Sequence, residues 1–88
     1  TSEYIGEVGQ RIEVQLTVKK AINLDGYYGA STMHIMEDES GNVFVWTTSA
    51  KSWEEGSSRL VRGTIKEHRV YKNVKQTVLT RCAEVQSK

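Results

Sequence analysis

The chain has 88 residues, one cysteine, no proline and a formal net charge of +1. That length allows one domain with a thin core, and no run is long and apolar enough for a membrane helix. A lone cysteine excludes an internal disulfide and a multi-cysteine zinc site; with no signal peptide visible, a reducing, cytoplasmic setting is expected. The small net charge hides an asymmetry. Residues 1–50 carry three basic and seven acidic side chains, residues 51–88 nine and four, so a polarised surface is expected. The chain begins at Thr1 without a methionine, and residues 1–88 are read as a single domain excised from a longer protein.

From Arg11 to Lys19 the pattern alternates, with Ile12, Val14, Leu16 and Val18 on one side and polar residues on the other. That periodicity predicts a half-buried first strand. "NLDGYYGAS" follows, a loop or bulged turn in which Tyr27 and Tyr28 are read as packing residues. A second strand is predicted over about Tyr28–Glu37, its register open: Met33 and Ile35 compete with His34 and Met36 for the interior. "EDESGN" is a turn, with Gly41 expected to supply a positive φ. The third strand, Asn42–Thr48, holds four consecutive apolar residues, Val43, Phe44, Val45 and Trp46, and so is apolar on both faces. In "SAKSWEEG", Ser49 can cap one helical turn ending at Gly56, with Trp53 plugging one end of the core. The fourth strand runs over about Ser58–Tyr71, and Gly63 in its middle suggests a bulge or tight bend. "YKNVK" is a short turn, and Val74–Val85 is the fifth strand.

Five strands with a short helix between the third and fourth is the element order of the OB-fold, a Greek-key barrel that binds oligonucleotides or oligosaccharides. The expected fold is therefore an all-β, five-stranded barrel of this kind, with its helix near Ala50–Glu55. Two stretches, "MEDESGNVFVW" and "RGTIKEHRVYKNVKQTVL", resemble the Asp-x-Ser-Gly hairpin and the Gly-Thr-apolar-Lys strand with its Lys-Gln turn in single-stranded DNA-binding domains of the replication protein A family. The likeness covers about Arg11 to Arg81. It implies an exposed aromatic on the third strand that stacks on a base, and a second near the start of the fifth.

Phe44, Trp46 and Thr48 are the third-strand counterparts, Trp46 standing two residues before the usual aromatic position, which Thr48 takes. On the fifth strand that place falls at Thr77, which cannot stack; Tyr71 or Tyr28 are possible substitutes. On this reading Val43, Val45 and Thr47 face the interior while Phe44 and Trp46 face out. Trp46 has a second reading as core. Lys51, Arg69, Lys72, Lys75 and Arg81 are placed to meet phosphates, because a single strand needs cations beside its stacking platform.

No catalytic constellation is visible: no phosphate-cradling Gly-Lys-Ser loop, zinc ligand set or nucleophile elbow. His34 and His68 are read as polar strand residues, Glu37, Asp38 and Glu39 as a solvated turn, and Cys82 as a small packing residue. The expectation is a binding module, not an enzyme, without metal or cofactor. Its ligand is single-stranded DNA or, as the alternative nucleic acid, RNA, bound by stacking and phosphate contacts without sequence preference. Other domains of a parent chain or replication and repair proteins are its expected partners. The competing reading is a protein-interaction or assembly module whose aromatic face anchors a partner chain.

Overall fold

The computed structural model describes residues 1–26, 29–50 and 52–85. The chain is all-β: β1 Arg11–Gly26, β2 Gly29–Glu37, β3 Val43–Thr48, β4 Ser58–Tyr71 and β5 Val74–Glu84. Hydrogen bonds close the sheet into a ring in the order β1-β2-β3-β5-β4. Neighbours pair antiparallel except β3 and β5, whose parallel register runs from Val43↔Gln76 to Trp46↔Leu79.

β1 is longer than its alternation predicts. Its first half pairs with β4 and its second half with β2, and the register shifts between Val18 and Lys20. An extra residue in one strand flips every later side chain to the other face. Before the shift Leu16 and Val18 point inward; after it Ala21 packs against the core, and Lys20 and Ile22 turn out. The "VKKAI" run therefore ends one phase of alternation and starts the other. In β4 the register shifts at Gly63, as its position suggested. A Cβ there would stand 2.9 Å from the Cys82 sulfur, so the close approach of β4 and β5 at this bend needs glycine.

The interior holds Leu16, Val18, Met36, Phe44, Trp46, Trp53, Val61, Ile65 and Leu79. It settles the open register of β2: His34 and Met36 are inside, paired across the sheet with Trp46 and Phe44. Between β3 and β4 no helix forms among the described residues, contrary to expectation. The segment makes one tight turn, Ser57 N–H donating to the Glu54 carbonyl (3.1 Å), and is otherwise bonded to β1: Gly56 N–H donates to the Val18 carbonyl (2.7 Å) and Val18 N–H to the Ser57 carbonyl (2.9 Å). Trp53 still plugs that end. The N-terminal residues close the other. Ile5 N–H donates to Thr77 Oγ1 (3.0 Å), Gly9 N–H to the Ile65 carbonyl (2.8 Å), and Tyr4 stacks on His68 at 4.5 Å. Asp38 ties the β2–β3 turn, accepting from the backbone N–H groups of Ser40 and Asn42 (2.9 Å each), and Gly41 has the expected positive φ, 85°.

Candidate nucleic-acid interface

Side chains of opposite parity to the core cover the outer face of β2 and β3. Met33 and Ile35 come from β2 and Val45 from β3; the register shift in β1 adds Ile22 and Lys20. Val45 is only 2% exposed although it faces away from the interior, because Ile35 and Val78 flank it on the neighbouring strands. A four-residue apolar run on β3 is thus explained: Phe44 and Trp46 fill the ring while Val45 floors an outer groove.

The far wall of that groove is the β4–β5 hairpin. Its two-residue turn, Lys72-Asn73, has both φ angles positive (51° and 66°), the backbone that matches the twist of paired strands. The hairpin lays Arg69, Tyr71 and Lys72 along the groove, which encloses ≈ 290 Å³. Tyr71 is 58% exposed, and the Lys72 ammonium lies 5.4 Å from its ring centroid. Gln76 sits at the base of the wall, and its Oε1 accepts from Arg69 Nε at 3.0 Å. Among the described residues, no carboxylate lines the groove. Among the described residues, the ion pairs are Arg59–Glu84, Arg62–Glu13 and Lys75–Glu3, leaving Lys20, Arg69 and Lys72 uncompensated. Apolar floor, one exposed ring and three cations together suit a ligand that is flat and apolar in one part and anionic in another.

Arg69, Tyr71 and Lys72 are the expected site residues that this groove unites. Phe44 (0% exposed) and Trp46 (6%) are corrected to core. Their cross-strand partners Met36 and His34 are buried on the same inner face, and no element other than the large side chains fills the ring. Val43, Val45 and Thr47 accordingly face outward, the reverse of the expectation. Thr77 is fully buried and its hydroxyl is taken by Ile5. Lys75 lies on the other side of the hairpin, bonded to Glu3 at 3.1 Å and 5.4 Å from the Tyr4 ring centroid. Arg81, with φ 56°, and Thr48 line a separate cleft where β3 and β5 part beyond Trp46 and Leu79. The four cations Arg69, Lys72, Lys75 and Arg81 therefore do not share one groove. Lys51 and Tyr28 lie outside the described residues. Sequence reasoning missed Lys20, Ile22, Met33, Ile35, Val45 and Gln76. The adjacent Lys19-Lys20 pair, breaking a clean alternation, was the available signal for the first two.

At the Trp53 end, His34 stacks on Trp46 with centroids 5.2 Å apart, and Trp46 meets Trp53 at 4.7 Å. Trp53 N–H donates to His34 Nε2 (3.0 Å), so Nδ1 carries the hydrogen and donates to the Trp46 carbonyl (3.2 Å). The imidazole is neutral here. Burial is the main force holding its pKa below the ordinary 6.5; the Arg59 charge adds to this and the Trp46 carbonyl opposes it. Burial also pushes the Cys82 thiol up to about 12, so no thiolate is available there at neutral pH.

No protein-family model, curated protein or solved structure matches this chain.

Proposed function

We propose that this domain is an OB-fold module that binds single-stranded nucleic acid, DNA in the first place and RNA as the alternative, without catalysis. The observation that carries this reading is the groove on β2 and β3, bounded by the β1–β2 and β4–β5 hairpins. That is where barrels of this class hold oligonucleotides. The closed ring with β3 and β5 paired in parallel supports the same assignment, as does the resemblance to the replication protein A family. A base would pack on Ile22, Met33, Ile35 and Val45 beside the Tyr71 ring with Arg69 at its edge, while Lys20 and Lys72 meet phosphates. Stacking contributes about 1–3 kcal/mol per base and tolerates every base, and phosphate contacts make affinity fall with salt. A groove of ≈ 290 Å³ is at the small end of ligand pockets, roughly 300–1,000 Å³. Affinity for an isolated domain is therefore modest, and linking such modules in tandem would raise it by effective concentration. Among the described residues no helix is long and apolar enough to cross a membrane.

The test is fluorescence anisotropy of labelled oligo-dT, oligo-rU and a duplex at two salt concentrations. Salt-sensitive binding of the single strands in preference to the duplex is expected. Absence of single-strand binding at either salt concentration sinks the reading. A second reading rests on the exposed Val70, Tyr71 and Val74 at the hairpin tip, which suit a partner protein; it predicts a stable complex and no oligonucleotide binding.

A further inference from the structure

The groove walls donate hydrogen bonds far more readily than they accept them. Arg69 uses Nε on Gln76 Oε1, and its two Nη groups have no hydrogen-bond or ion-pair partner among the described residues. Glu67, on the same face of β4, makes no ion pair with it. Gln76 is only 6% exposed, so its amide is fixed by packing, and through the Nε bond it limits how the guanidinium can turn. One of the two lone pairs on its Oε1 is taken by Arg69 Nε. A base lying on Val45 and Ile35 therefore meets a rigid fork of N–H donors at its edge and no carboxylate.

We infer that this groove reads one base whose edge carries two neighbouring acceptors, guanine through O6 and N7 or cytosine through N3 and O2, against adenine, with Arg69 as the reading residue and Gln76 as the residue that positions it. The inference rests on the nucleic-acid reading above and deepens it. Guanine presents O6 and N7 side by side, the pair that an arginine fork matches; adenine presents N7 beside an amine donor, which faces the same fork with no acceptor to meet it. In a single strand both base edges are open to such contact. The groove encloses space for one such unit, so the preference applies to one position of an otherwise sequence-tolerant site.

The experiment measures the anisotropy-derived affinity of the 88-residue protein for oligo-dT carrying one central dG, dA, inosine or 7-deazaguanine. Inosine keeps O6 and N7, whereas 7-deazaguanine loses N7. The dG and inosine strands are expected to bind about tenfold more tightly than the dA strand, with 7-deazaguanine falling toward dA. Arg69→Lys keeps the charge but not the fork, and should bring the dG-to-dA affinity ratio to about one, whatever its effect on oligo-dT affinity. Gln76→Leu, which leaves Nε without its acceptor, should also bring that ratio toward one. A residue that merely supported the fold would not move that ratio. Equal affinity for all four strands overturns the base-reading inference and leaves single-strand binding standing. A preference that survives Arg69→Lys overturns the assignment to Arg69. Absence of binding to any strand overturns the function itself.

Discussion

The two faces of β3 are both apolar but use different chemistry. The inner face carries Phe44 and Trp46, completed by His34 and Trp53. The outer face carries Val45 between Ile35 and Val78, with one tyrosine held over its edge from a hairpin tip. Among the described residues no helix lies beneath the ring of five strands, so side chains fill its interior, Phe44, Trp46 and Trp53 being the largest beside Leu16, Val18, Met36, Val61, Ile65 and Leu79. The tryptophans are thereby committed to stability. The outer groove is built from aliphatic side chains and from cations on the hairpin and in β1. In a domain this small an aromatic pair on a strand is as readily a plug as a platform, and the cross-strand partners decide which.

The strongest way to break this contrast is Trp46→Ala. Removing a fully packed indole is expected to cost about 3–5 kcal/mol, read by urea denaturation, with any loss of oligonucleotide binding following the unfolded fraction. A variant that stays as stable as the parent yet fails to bind would reverse the two faces. Tyr71→Ala is the counterpart on the outer side. Its ring is mostly exposed, so stability should change within about 0.5 kcal/mol, while oligo-dT affinity should fall by about 1–3 kcal/mol. Unchanged affinity would remove the ring from the site.

His34 sharpens the inner half. It is held neutral, with Nε2 accepting from Trp53 N–H, and its pKa lies below the ordinary 6.5. Below pH 6.5 the unfolded chain takes up a proton that the folded one refuses. Stability is thus fully present above that value and is lost as pH falls toward the depressed folded pKa. Denaturation midpoints across pH 7.5 to roughly 5 should show this decline, and His34→Gln should flatten it. A midpoint that does not move with pH in the parent would mean that His34 is not buried as a neutral ring.

Much of the architecture was legible because local rules agree with it. Clean alternation marked the first half of β1, Gly63 marked the bend in β4, and Ser40-Gly41-Asn42 marked the turn before β3. Other parts were set by partners distant in sequence. The extension of β1 past Lys19 depends on pairing with β2, and the "SAKSWEEG" stretch, which has the cap and stop of a helical turn, is drawn instead to the backbone of Val18. The candidate site suffered most. Phe44 and Trp46 alternate with Val43 and Val45, so parity says only that the pairs face opposite ways, and choosing the inner pair requires knowing that His34 and Met36 lie opposite. Lys75 resembled its neighbour Lys72 until Glu3, seventy-two positions away, was placed beside it.

That last difference gives the smallest expected effect. Lys72 sits at the groove without an ion pair among the described residues, and Lys75 is bound to Glu3 on the other side of the same hairpin. If phosphates pass only through the groove, Lys72→Gln should weaken all single strands alike and reduce the slope of log affinity against log salt by about 0.7, the value for one phosphate contact on a single strand. Lys75→Gln should leave that slope unchanged. Its cost should fall on stability alone, by about 0.2–1 kcal/mol, as is usual for an exposed pair. Titrations of both variants at several salt concentrations measure the two slopes side by side. Equal reductions would show that the strand wraps over the hairpin and reaches its far side. A reduction for Lys75 alone would place the strand on the face closed by the N-terminal residues, leaving the groove over Val45 without its phosphate partner.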